Sequence, residues 1–181
     1  MPGIIEKGTG GLFENEIEFT GQYAEMAREL RDKGLFTTFR EAYITSAVIG
    51  FSYNQYDLGE NSSDGQSASI FASDLNKRKR DLRFLYRIIM LLKEEPNFSL
   101  DDYKNRALKD DPEENSDLLR ENMRIFNAYA CGGVKYLFQK FSSYDSDEKM
   151  SDALYEFVHQ SAIGMGLQES EELPDFSPKY N

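Results

Sequence analysis

Six basic side chains crowd into eleven consecutive positions of this sequence: Lys77, Arg78, Lys79, Arg80, Arg83 and Arg87. Guanidinium forks match the paired oxygens of carboxylates and phosphates, so such a run is suited to holding anionic groups. What it does depends on where each side chain points. Laid on a helix at 100° per residue, Ile70, Phe71, Leu75, Leu82, Leu85, Tyr86, Ile89 and Leu92 gather on one half. Arg80, Arg83 and Arg87 fall on the opposite side and form an outward ridge, with Lys77 and Lys79 beside it. Arg78 projects onto the apolar half. Asp74 and Asp81 lie on its side of the helix, which predicts a structural Asp74–Arg78–Asp81 ion cluster at the edge of the core, because a partly buried arginine needs such partners.

Other reactive residue types offer little. Cys131 is the single cysteine and His159 the single histidine, so no intrachain disulfide can form. Cys131 sits in an apolar helical pattern and reads as a small buried hydrophobe. A Ser–His–Asp device would have to use His159 without a GxSxG elbow. Carboxylates are plentiful, but none has calcium-loop spacing, and no HExxH, CxxC or histidine cluster occurs. Gly3, Gly8, Gly10 and Gly11 lack the GK[ST] ending and preceding strand of a phosphate loop. The sequence therefore implies no catalytic residue, no metal and no cofactor.

These residues are carried by a chain of 181 with 40% hydrophobic and 13% aromatic content, enough for a packed core. Its net charge of −11 disfavours non-specific association with nucleic acid or anionic membranes and favours basic partners. No apolar run approaches the roughly 20 residues that cross a bilayer, and no basic-then-apolar leader opens the sequence, so a cytoplasmic protein away from membranes is expected.

The periodicity predicts helices and no strand: an all-α, single-domain array of about six helices, orthogonal or bundle-like, with flexible N- and C-terminal tails. Residues 1–18 read as a Gly-rich, then acidic arm with one short extended piece at 12–19. The helical domain spans 19–165, and an acidic tail spans 166–181. Within the domain, Tyr23, Met26, Ala27 and Leu30 stripe a helix over 20–33, which Gly34 stops. Thr38 and Glu41 form a capping box that starts a helix over 38–51. Residues 52–66 form a long loop suited to binding a partner or to remaining disordered. One long helix is predicted over 67–95, ended by Pro96. A short capped helix follows over 99–109, and further helices over 113–141 and 147–164. Gly132 and Gly133 interrupt the longest of these and cost roughly 1 kcal/mol each against alanine, so close packing or a kink is expected there.

The stretch GLFTTFREAYITSAVIGF, residues 34–51, resembles a short segment of small bacterial proteins associated with DNA phosphorothioation (Dnd) defence systems. The resemblance covers 18 of 181 residues and carries no catalytic position. It implies a bacterial or phage setting and an accessory role near DNA.

Three readings follow. The first is a non-enzymatic protein-interaction or accessory subunit of a bacterial, defence-related system, with a protein partner or a homo-oligomer. The second is a nucleic-acid-associated accessory protein that uses Arg80, Arg83 and Arg87. The third is an enzyme with an acid-lined cleft near 52–66.

Overall fold

The computed structural model describes residues 2–8, 10–59, 65–109 and 111–164. The chain divides into two compact units, Met1–Ser143 and Tyr144–Asn181. Most described residues are helical, and the first unit adds a small antiparallel sheet.

That sheet is the main departure from the sequence reading. Residues 4–7, expected in an arm, form strand β1 (Ile4–Lys7), and the short extended piece expected at 12–19 contains most of strand β2 (Glu16–Thr20). A third strand, β3 (Ser67–Ile70), completes the order β1-β2-β3. Ile4 pairs with Phe19 and Glu6 with Ile17, while Ile17 pairs with Ile70 and Phe19 with Ala68. Alternation then sends Ile4, Glu6, Ile17, Phe19, Ala68 and Ile70 to the inner face. Lys7, Glu16, Glu18 and Ser69 stand outside, joined by Lys7–Glu18 at 2.9 Å, Lys7–Glu16 at 3.3 Å and a Ser69 hydroxyl donating to Glu18 at 3.3 Å. Strands of four or five residues are too short to show a clear period, and β3 reaches the others only across a long loop.

Helix α1 (Gly21–Asp32) ends as expected. Gly34 takes φ +82°, its N–H donates to Arg31 O at 2.8 Å, and Leu35 N–H donates to Leu30 O at 3.0 Å. Helix α2 (Phe39–Ser52) opens on the Thr38–Glu41 capping box. The helix predicted over 67–95 is instead β3, a short α3 (Ala72–Asn76) and α4 (Lys79–Leu92). The break falls at Lys77–Arg78, inside a run of four successive cations. Helix α5 (Leu100–Leu108) opens on a Ser99–Asp102 capping box. The longest helix, α6 (Pro112–Phe141), has its one non-helical residue at Asn115, far from the two glycines.

Those glycines serve close packing rather than a kink. A Cβ on Gly133 would stand 1.8 Å from the Ser46 carbonyl oxygen of α2, and one on Gly50 would stand 2.0 Å from Tyr129 O of α6. The two backbones therefore touch. Around this contact lies an aromatic core in which Phe126 of α6 meets Phe13 at 5.5 Å and Tyr43 at 5.6 Å, and Phe13 meets Tyr86 at 6.4 Å. Phe13 belongs to the β1–β2 connection and is fully buried, so the N-terminal hairpin is part of the core.

In the second unit, α7 (Asp147–Gly164) exposes Tyr155 and Val158, and Tyr155 stacks on His159 at 6.1 Å. The predicted acidic tail lies outside the described residues. Among the described residues no helix is long and apolar enough to cross a membrane.

Candidate functional site

The ridge forms. Arg80, Phe84, Arg87 and Leu91 follow one another at four, three and four residues, a single stripe on α4. Lys79, Arg80, Arg83, Phe84 and Arg87 line an open depression of about 500 Å³. Phe84 is 63% exposed in its middle, and Leu91 and Leu92 are exposed further along. The buried side of the same helix carries Leu82, Tyr86, Ile89 and Met90. Lys79 bonds to Glu14, and that bond, with the Gly11 amide, holds the Glu14 carboxyl below its ordinary pKa.

The ion cluster does not form as predicted. Lys77 takes Asp74 at 2.7 Å, and Arg78 takes Asp81 at 3.2 Å with both side chains 60% exposed. The break between α3 and α4 is the reason: it removes the continuous helix on which Asp74 and Arg78 would share a face. Arg78 precedes the first turn of α4 without a side-chain cap bond, and its side chain lies in solvent rather than at the core edge. Exposed pairs of this kind contribute little to stability.

The buried arginine is Arg106, in the last turn of α5, at 4% exposure. Its Nε and Nη2 donate to Met90 O at 3.0 and 2.7 Å, and Nη2 donates also to Lys93 O. Glu95 stands 3.6 Å away, and the guanidinium lies over Phe98 and Tyr103 at 5.0 and 5.3 Å. Helix α4 has no basic residue in its own last turn, so Arg106 satisfies its open carbonyls from a neighbouring helix. The Arg106 carbonyl in turn accepts from Asn122 at 2.8 Å. Nothing in the local sequence separates Arg106 from the exposed Lys104, because only the fold places α4's end against it.

A second site lies where β1 meets α6. Pro2, Ile4, Ile5, Glu6, Gly8 and Leu58 face Arg120, Met123, Arg124, Asn127, Ala128 and Cys131 across a cleft of about 640 Å³. A smaller cleft of about 360 Å³ continues it past Gly10, Gly11 and Asn15 to Ser116 and Leu119. Glu6, Gly8, Arg120 and Met123 border both. Glu6 is the one ionisable side chain on the inner sheet face. Burial raises its pKa, opposed by the Asn15 amide that donates to it at 2.9 Å. Asn127 accepts from the Tyr43 hydroxyl at 2.7 Å.

Cys131 is buried as the sequence implied, and that burial, with the nearby Asp57 charge, pushes its thiol pKa far up. It is not placed as a nucleophile. The first part of the 52–66 loop is ordered against α6. Asp57 N–H donates to Ala128 O at 3.0 Å, and the Asp57 carboxylate accepts from Gly59 N–H at 3.0 Å and Lys135 at 3.1 Å. Residues 60–64 of that loop lie outside the described residues. The clefts beside it hold single acids, Glu6 in one and Glu94 in another, and no carboxylate pair lines either. Among the described residues no group of three or more His, Cys, Asp or Glu is placed to hold a metal ion.

No protein-family model matches the chain, and neither a curated protein nor a solved structure matches it. The 34–51 stretch is the α1–α2 turn with α2, and its Ala42, Tyr43, Ala47 and Gly50 are buried core residues.

Proposed function

We propose that this protein is a non-enzymatic interaction subunit that docks an acidic, partly apolar protein segment on the outer face of α4. One observation carries the reading: Phe84 stands 63% exposed in a depression whose other walls are Lys79, Arg80, Arg83 and Arg87. A solvated face has no use for a large exposed ring at its centre. Aromatic and arginine side chains together form the energetic centres of protein interfaces. The exposed Leu91 and Leu92, with Leu100 and Leu108 on α5, extend apolar surface beyond the cations. An acidic peptide face with apolar side chains is the complement.

Nucleic acid is the second reading, because a ring among arginines also suits base stacking. The four exposed leucines favour protein, since they meet neither phosphate nor base usefully. The resemblance of residues 34–51 to phosphorothioation-associated proteins supports reading this role in a bacterial defence context.

The test is a photo-crosslinking residue at position 84, with a control at the exposed Asp32, in the native host. The expected result is a protein adduct at 84, absent from the control, and lost in R80E/R83E/R87E while the melting curve is unchanged. An adduct to nucleic acid alone transfers the assignment to the second reading. No adduct at 84 above control refutes both.

A further inference from the structure

The free edge of β1 carries its own binding chemistry. Thr20 N–H donates to Gly3 O at 3.0 Å, which makes Gly3 and Thr20 a hydrogen-bonded pair in the β1–β2 register. Antiparallel strands alternate such pairs with pairs whose backbone groups point away. Ile5 and Lys7 therefore bond β2, and the N–H and C=O groups of Ile4 and Glu6 point outward. Among the described residues, the order β1-β2-β3 puts no strand beyond them.

The clefts run along this edge. Their β1 wall includes Ile4 and Glu6 from the inner face and Ile5 from the outer face. A cavity that touches both faces of one strand lies at its edge, where the backbone is reached. The opposite wall is one stripe of α6 from Ser116 through Met123 and Asn127 to Cys131, about 22 Å at 1.5 Å per residue. An extended chain of about six or seven residues spans that length. The wall is apolar at Ile4, Leu58, Met123 and Ala128. At the rim stand Arg120 and Arg124, with side chains 79% and 56% exposed. Arg120 pairs with Asp117 and Arg124 with Glu121, each one turn back on the solvent side, and surface pairs of this kind exchange readily. Gly8, Gly10 and Gly11 line the smaller cleft beside the Asn15 side chain.

We infer that the β1–α6 cleft binds an extended peptide segment of a partner protein as an added strand on the β1 edge. The peptide backbone pairs with the outward groups of Glu6. A small apolar side chain enters between Leu58 and Ala128, and an acidic side chain meets Arg120 and Arg124. This is strand addition, in which backbone bonds supply affinity and alternate side chains supply selectivity. The site is lined by β1 and α6 rather than by α4 and goes beyond the reading given for that face.

The probe is a random heptapeptide display library panned on the full chain. Selected peptides are then resynthesised and measured by titration and by amide hydrogen exchange. Glu6→Pro removes the outward N–H without touching a β1–β2 bond, since Pro is tolerated at such edge positions, and Glu6→Gln keeps that N–H. The expected result is binding weakened about tenfold or more in E6P, retained in E6Q, and unchanged in R80E/R83E/R87E. Wild-type exchange at the Glu6 amide slows at least tenfold on binding, a reading that stands even if E6P fails to fold. Selected peptides that leave Glu6 exchange unchanged, peptides lost in the arginine variant, or no binder from the library would each overturn the inference.

Discussion

Replacing Gly133 by alanine sets two effects of opposite sign against each other. Helix propensity alone favours the change by about 1 kcal/mol, because glycine is the costlier residue inside α6. The packing opposes it. The new methyl would lie 1.8 Å from the Ser46 carbonyl oxygen and 2.9 Å from the Gly50 amide nitrogen. Both are backbone atoms of α2, so no side chain can swing aside and the helices must separate. Overpacking of this kind costs about 3 kcal/mol, leaving a net loss of about 2 kcal/mol. For a chain of this size that lowers Tm by about 4–8 °C. Thermal and urea unfolding followed by helical ellipticity measure it. A variant as stable as wild type, or more stable, would show that α2 and α6 do not touch through their backbones.

Arg106→Met removes the donor that caps α4 and leaves the Met90 and Lys93 carbonyls open. A loss of about 3 kcal/mol in urea unfolding is expected, and Arg106→Lys should recover little of it because it lacks the planar fork. Glu6 has a folded-state pKa raised above its ordinary value of 4.5. The native state thus holds its proton to higher pH than the unfolded chain, and the stability Glu6 contributes falls as pH rises through that window. Glu6→Gln should accordingly gain stability relative to wild type between pH 4 and pH 7, and urea midpoints that stay parallel across the range would contradict this. The Cys131 thiol, 1% exposed, should react with a thiol reagent only as fast as the chain opens, and labelling at the rate of a free thiol would place it at the surface.

Local signals carried much of the architecture. Thr38 with Glu41, Ser99 with Asp102, and Gly34 each act through atoms within five residues, so the ends they specify were legible in the sequence. The exposure of Arg80 was legible too, because helical spacing survives within α4, whereas the half-burial of Arg83 and Arg87 was not. The inward placement of Arg78 was not, since it relied on a helix continuing across Lys77. The sheet escaped for a related reason. Ser67–Ile70 offers small and polar residues with no helical objection, and becomes a strand only because β2 lies beside it.

The sequence by itself determined an acidic chain with a helical core, a basic ridge and a buried thiol, because composition and periodicity act within a few turns. Tertiary structure decided what those elements meet. It drew Phe13 into the aromatic centre and set Arg106 on the end of α4. It also left the Glu6 edge of β1 open beside α6. Each is a contact between segments distant in the chain, and the pattern of either segment alone does not encode the other's position.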